Sequence, residues 1–116
     1  TTYLTPSAIT AVVLLSITDS SGTVMKINQI VAANVNGSAA VNTTVSIYSN
    51  GAVAQGNAPS GGTAYPIASV VSVPQNASLI VVYKTSAIYL MEGSSITVTS
   101  GTASGITYSI SYELIA

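Results

Sequence analysis

Very few residues in this chain could do acid–base chemistry. Asp19, Glu92 and Glu113 are the only carboxylates, Lys26 and Lys84 the only cations, and there is no histidine or cysteine. A hydrolase built on two carboxylates needs both of them facing one cleft. Here Asp19 and Glu92 sit within turn signals, and Glu113 lies on the polar side of an alternating run, so all three read as solvated or salt-bridged. Lys84 and Glu92 bracket an apolar run and could pair across a turn, an exposed pair of small value. Without histidine, a serine nucleophile would need the rarer Ser–Lys arrangement. The 18 serines and two lysines single out no serine for it. Gly61-Gly62 is not followed by the Gly-Lys-Ser/Thr of a phosphate loop, and no Asp-rich loop suggests calcium. The sequence therefore predicts no catalytic, cofactor-binding or metal-binding residue, and no enzyme.

Composition narrows the class further. Only 4% of the residues are charged and the net charge is −1, against about 25% charged in an ordinary domain. The chain is 48% hydrophobic, which excludes disorder. Its polarity comes from serine and threonine, 32 of 116 residues. Such a weakly charged, hydroxyl-coated surface suits a protein packed among many neighbours, and equally a secreted or exposed structural module. Two lysines release too few counterions to hold nucleic acid. The longest apolar runs, about five residues, fall far short of the roughly 18 that span a bilayer, so no membrane partner is expected. The start, TTYLTPSAIT, has no positive n-region, and no signal peptide is expected. The sequons at Asn36, Asn42 and Asn76 match the glycosylation pattern, as chance allows in a chain this rich in Asn, Ser and Thr.

The elements that would carry any site are strands. The organising stretch runs from Pro74 to Ser100. Leu79–Tyr83 and Ile88–Met91 are apolar runs of strand length, separated by Lys84-Thr85-Ser86, and Ile96–Thr99 alternates after the turn at Glu92–Ser95. Earlier, Thr10–Thr18 is too short and too β-branched for helix, and Asp19–Gly22 is a turn. In Thr23–Val35, Met25, Ile27, Val31, Ala33 and Val35 share one parity. Gln29 and Ile30 break it, which predicts a bulge or a change of partner sheet there. Asn36-Gly37 reads as a hairpin closure, leading into the alternating strand Val41–Tyr48. Ile67–Val73 is another strand. Ile106–Leu114 is the cleanest, with its even-numbered residues expected to be buried.

These runs predict one domain over residues 1–116, all-β, an antiparallel β-sandwich of jelly-roll type with about eight strands. A closed barrel is the alternative. Residues 1–9 form an N-terminal arm whose Tyr3 and Leu4 anchor on a neighbour or on the domain itself. Residues 49–66 hold four of the nine glycines and two of the four prolines and read as a long exposed loop, with Tyr65 its best contact residue. Tyr108 and Tyr112 share the apolar parity of their strand and read as core or interface.

The run Tyr65-Pro66-Ile67-Ala68 … Val71-Ser72-Val73-Pro74 … Ser78-Leu79-Ile80-Val81-Val82 … Lys84 … Ile88-Tyr89-Leu90-Met91-Glu92-Gly93-Ser94-Ser95-Ile96-Thr97-Val98 resembles small β-rich virion structural proteins of tailed bacteriophages, particularly T4-like phages of marine and freshwater bacteria. The ending, Ile110-Ser111-Tyr112-Glu113-Leu114-Ile115, resembles their terminal strand. The resemblance implies a non-enzymatic particle component, made in the host cytoplasm and located in the virion. The expected role is a head decoration (cement) protein on the capsid exterior. The expected partners are other copies of itself, as a homo-oligomer expected to be a trimer, and the major capsid protein or another virion protein. A neck or tail component is the alternative. A secreted or cell-surface glycan-binding module is a third reading, which the absence of Trp and of a signal peptide disfavours.

Overall fold

The computed structural model describes residues 2–18, 22–36, 38–82 and 88–115. Nine strands form among them: β1 (Thr2–Leu4), β2 (Val12–Ile17), β3 (Met25–Asn34), β4 (Val41–Tyr48), β5 (Ala64–Val73), β6 (Ser78–Val82), β7 (Ile88–Leu90), β8 (Ser94–Ser100) and β9 (Ile106–Leu114). No helix occurs among the described residues, as period-two patterning requires. One antiparallel sheet has the order β1-β9-β3-β6, with β7 also on β3. The other has the order β2-β8-β4-β5. β6 lies opposite Ile30–Ala33 and β7 opposite Met25–Ile27, while β9 pairs along the other edge of β3. β6 and β7 therefore act as one interrupted edge strand, leaving four strands per sheet. Taking them as one, the chain changes sheet at every connection except β4–β5, which is the connectivity of a jelly roll.

One expectation about pairing needs correcting. Asn36-Gly37 does not close a hairpin between β3 and β4, because those strands lie in different sheets. Both edges of β3 are already occupied, so β4 has no edge to join. Asn36 remains within a local turn, its N–H donating to Asn34 Oδ1 at 2.9 Å; Gly37 lies outside the described residues. The stretch from Pro74 to Ser100 is divided between the two sheets. β6 and β7 edge the first sheet, and β8 crosses over to lie between β2 and β4 in the second. Lys84 and Asp19 lie outside the described residues.

The bulge foreseen in β3 is present, one residue earlier. Ile27 faces Tyr112 and Gln29 faces Ser111, leaving Asn28 as the extra residue. A one-residue slip exchanges the two faces of a strand. Before the bulge Ile27 is buried. After it, Ile30, Ala32 and Asn34 are buried, while Val31 and Ala33 are only half-buried and Val35 is exposed. Asn34 thus enters the core, where its amide donates to the Ala39 and Val73 carbonyls, each at 3.0 Å.

The core between the sheets is built from Leu14, Ile27, Ile30, Leu90, Ile96, Val98, Ile106 and Ile110, all essentially inaccessible. Each such side chain stabilises the fold by about 1.5–3 kcal/mol relative to exposure. In β9, Ile106, Tyr108 and Ile110 are buried as expected and Tyr112 is half-buried. Leu114 is exposed instead, because it faces Met25, the first residue of β3, at the rim of the sandwich.

Candidate functional site

The two long flanks of the sandwich differ. On one, β1 and β2 approach each other, and the segment from 49 to 63 closes over β2. The Val13 N–H donates to the Asn57 carbonyl at 2.9 Å, and the Gly56 N–H donates to the Val13 carbonyl at 2.8 Å. Gln55 Nε2 reaches Thr2 Oγ1 at 3.0 Å, tying the segment to β1 as well. The Tyr48 hydroxyl accepts from the Gly62 N–H at 3.0 Å, and the Ser95 hydroxyl donates to the Asn50 carbonyl at 2.9 Å. Ser46, Tyr48, Ser95 and Thr97, on the side of β4 and β8 away from the core, are buried. The segment, expected to be an exposed excursion, is mostly exposed and is fastened to the second sheet by these bonds. Its last three residues as read from the sequence, Ala64–Pro66, already belong to β5.

The opposite flank is open. It is formed by β5 from one sheet and by β6 with β7 from the other; β5 and β6 lie side by side. β5 pairs only with β4, and β6 and β7 only with β3. Tyr65, Ile67 and Val70 on β5 are exposed, as are Ile80 on β6 and Tyr89 on β7. Beneath them Ala68, Leu79, Val81 and Ile88 are half-buried and packed on the core. A long exposed apolar edge invites another chain. Natural sheets often guard such edges with lysine, but no described residue of β5, β6 or β7 is charged. β5 relies on geometry instead. Pro66 lacks an N–H, and the register against β4 slips twice, between Thr43 and Val45 and between Val45 and Ser46. These interruptions deny a continuous ladder to a fibril-like partner while leaving the side chains available.

The first slip places Val70 at φ 48°, with its N–H donating to Thr44 Oγ1 at 3.0 Å. For a β-branched residue this region costs about 1–2 kcal/mol. Val70→Gly is expected to raise the unfolding free energy by about 0.5–1 kcal/mol, glycine's looser unfolded chain offsetting part of the relief. Denaturant titration should show a higher midpoint at unchanged slope; a lower midpoint would mean that the Val70 side chain contributes more than its backbone costs.

The residues expected to make contacts are not brought together. Tyr3 is exposed on β1 beside Ser109, and Leu4 is half-buried against the core. Both lie on the flank opposite Tyr65, and Thr2–Leu4 is a strand of the chain's own first sheet. Tyr65 stands at the open flank, facing Ile47 across the ladder. Ile67, Val70, Ile80 and Tyr89 are also exposed on these edge strands, although the sequence had marked none of them. One signal was available: a proline inside an apolar run marks an edge strand, and Pro66 opens the run that becomes β5.

The charged side chains are spread out. The Glu92 carboxylate accepts from the Gly22 N–H at 2.8 Å. Lys26 Nζ lies 3.9 Å from Glu113 Oε1, in an exposed pair, with Tyr89 on the other side of Lys26 in the ladder. Among the described residues no group of three or more His, Cys, Asp or Glu could hold a metal ion, and no pocket opens. The chain matches no protein-family model, no curated protein and no solved structure.

Proposed function

We propose that this chain is a non-enzymatic structural protein of a tailed-bacteriophage virion, a head decoration protein that seats on the capsid lattice as a symmetric homo-oligomer. The observation that carries the reading is the open flank, whose described strands expose apolar side chains and bear no charge, on a sandwich with five charged side chains in 116 residues. Long-range steering by such a surface is weak. Recognition rests on apolar contact and on hydroxyl and backbone hydrogen bonds, small individually and made sufficient by repetition around symmetry axes. The phage setting rests on the resemblance of residues 65–98 and 110–115.

The expected consequence is attachment that survives salt. At about 1 M salt the screening length falls to about 3 Å, which removes ion-pair adhesion but leaves apolar contact intact. Purified particles carrying the protein, washed at that ionic strength, should retain it in many copies by mass spectrometry. Imaging should place it on the head exterior. Release by salt would overturn the contact chemistry, and density confined to the neck or tail would move the protein to that part of the particle.

A further inference from the structure

We infer that Asn50-Gly51 is a site of spontaneous backbone modification, blocked while the segment from 49 to 63 is seated on the second sheet. Once the modification has occurred, the segment no longer seats. The inference goes beyond the virion reading and does not depend on it.

The chemistry is intramolecular. The Gly51 nitrogen attacks Cγ of Asn50, and the new C–N bond closes a five-membered succinimide ring. The Cγ–Nδ2 bond breaks, the Gly51 proton passes through water to the leaving nitrogen, and ammonia departs. Water then opens the ring at either carbonyl, leaving an aspartate or an isoaspartate at position 50. Asparagine is among the thermally labile residues, and glycine, without a Cβ, hinders the attacking nitrogen least. The chain has two such pairs, Asn36-Gly37 and Asn50-Gly51.

Three observations make the reaction at Asn50 conditional on the segment. The first is how its amide is held. Nδ2, the leaving group, donates to the Ser60 carbonyl at 2.9 Å, and Oδ1 accepts from the Ala52 N–H at 3.0 Å. The Asn50 main-chain carbonyl accepts from the Ser95 hydroxyl at 2.9 Å. Closing the ring turns the Asn50 side chain and its peptide against each other, which these three bonds resist. The second is the seat of Gly51, buried against the Ile17 and Ser94 carbonyls so closely that a Cβ would lie 1.9 Å from the first. The third is the product. A carboxylate oxygen in the place of Nδ2 would face the Ser60 carbonyl, an acceptor against an acceptor. An isoaspartate makes the main chain one atom longer just before Gly51 and takes Gly51 off its seat. Either product lifts the segment. The modification is therefore a one-way record of opening: its rate is the free rate multiplied by the fraction of molecules with the segment lifted.

The test ages the purified chain at mildly alkaline pH, folded and in urea. Peptide mapping reads Asn50 apart from Asn36, by a mass gain of about 1 Da and by isoaspartate content. Asn50 should react about tenfold or more slowly in the folded chain than in urea. The double variant Tyr48→Phe, Ser95→Ala removes the acceptor of the Gly62 N–H and the donor to the Asn50 carbonyl, leaving the Asn-Gly pair intact. It should raise the folded rate about threefold or more and leave the rate in urea unchanged. Circular dichroism checks that it folds; if it does not, Gln55→Ala, which frees the segment from Thr2, takes its place. Hydrogen exchange on the aged, unaltered chain reads the consequence. The Val13 and Gly56 amides, which bond between segment and β2, should lose protection in the modified molecules alone. Equal rates folded and in urea, a folded rate unmoved by the variant, or modified molecules that keep the Val13 and Gly56 protection would each overturn the inference.

Discussion

Gly51→Ala is expected to lower the unfolding free energy by about 3 kcal/mol, an unusually large effect for one methyl group. A Cβ at position 51 would stand 1.9 Å from the Ile17 carbonyl oxygen, 2.7 Å from its carbon and 2.8 Å from the Ser94 carbonyl oxygen. All three are backbone atoms at the paired ends of β2 and β8, where Ile17 faces Ser94. No rotamer change can make room, so either the segment lifts or the two strands part. Lifting the segment would uncover Val13, Ser46, Tyr48, Ser95 and Thr97, and would break the Ser95–Asn50 bond. Gly56→Ala is the control. Gly56 lies in the same segment at φ 87°, and a methyl added there would meet nothing within 4 Å, so its cost is backbone strain alone, about 1 kcal/mol. Denaturant unfolding of the two variants separates the mechanisms; equal costs would show that residue 51 is not seated against the sheet.

Tyr108→Phe is expected to cost about 2 kcal/mol at neutral pH and to flatten the alkaline loss of stability. Tyr108 belongs to β9 and its ring is wholly buried. Its hydroxyl crosses to the other sheet, donating to the Thr99 carbonyl on β8 at 2.9 Å and bonding the Thr43 hydroxyl on β4. A phenol has one proton; since it goes to Thr99, the Thr43 hydroxyl is the donor in the second bond. Removing the phenolic oxygen leaves the buried Thr43 hydroxyl and Thr99 carbonyl short of a partner, which costs more than the bonds themselves contribute. Adding Thr43→Val should therefore cost much less than the two single changes together. Full additivity would mean that the two hydroxyls do not interact.

The pH dependence follows from the same burial. Desolvation, partly offset by the Thr43 hydrogen bond, pushes the Tyr108 phenol up to about 12 from its usual 10. The unfolded chain loses this proton near pH 10, while the folded chain holds it to about pH 12. The unfolded state thus binds fewer protons between those values, and stability falls as pH rises. The contribution is complete below about pH 10 and lost by about pH 12, and two pK units correspond to roughly 3 kcal/mol. Across that window the unfolding free energy of the unaltered chain should fall more steeply than that of Tyr108→Phe. Parallel slopes would place the titrating group elsewhere.

What the sequence determined by itself was the local and the cumulative. Period-two alternation makes strands of Val41–Tyr48 and Ile106–Leu114, because a helix would scatter the same side chains around its circumference. The scarcity of charge is a sum over residues and needs no fold to be read. Partner choice is different, because it depends on which edges are already taken. Asn36-Gly37 has the chemistry of a hairpin, yet β3 had no edge left for β4. The parity of β3 turned on one extra residue, Asn28, which sent Asn34 into the core and Val31 and Ala33 outward. The segment from 49 to 63 has the composition of a loose loop, and only the neighbouring carbonyls of Ile17 and Ser94 show why Gly51 must have no side chain. The open flank was likewise invisible in one dimension. Tyr65, Ile80 and Tyr89 come from three strands in two sheets. Their strands border one flank because the chain changes sheet at nearly every connection, which sets β5 of one sheet beside β6 of the other.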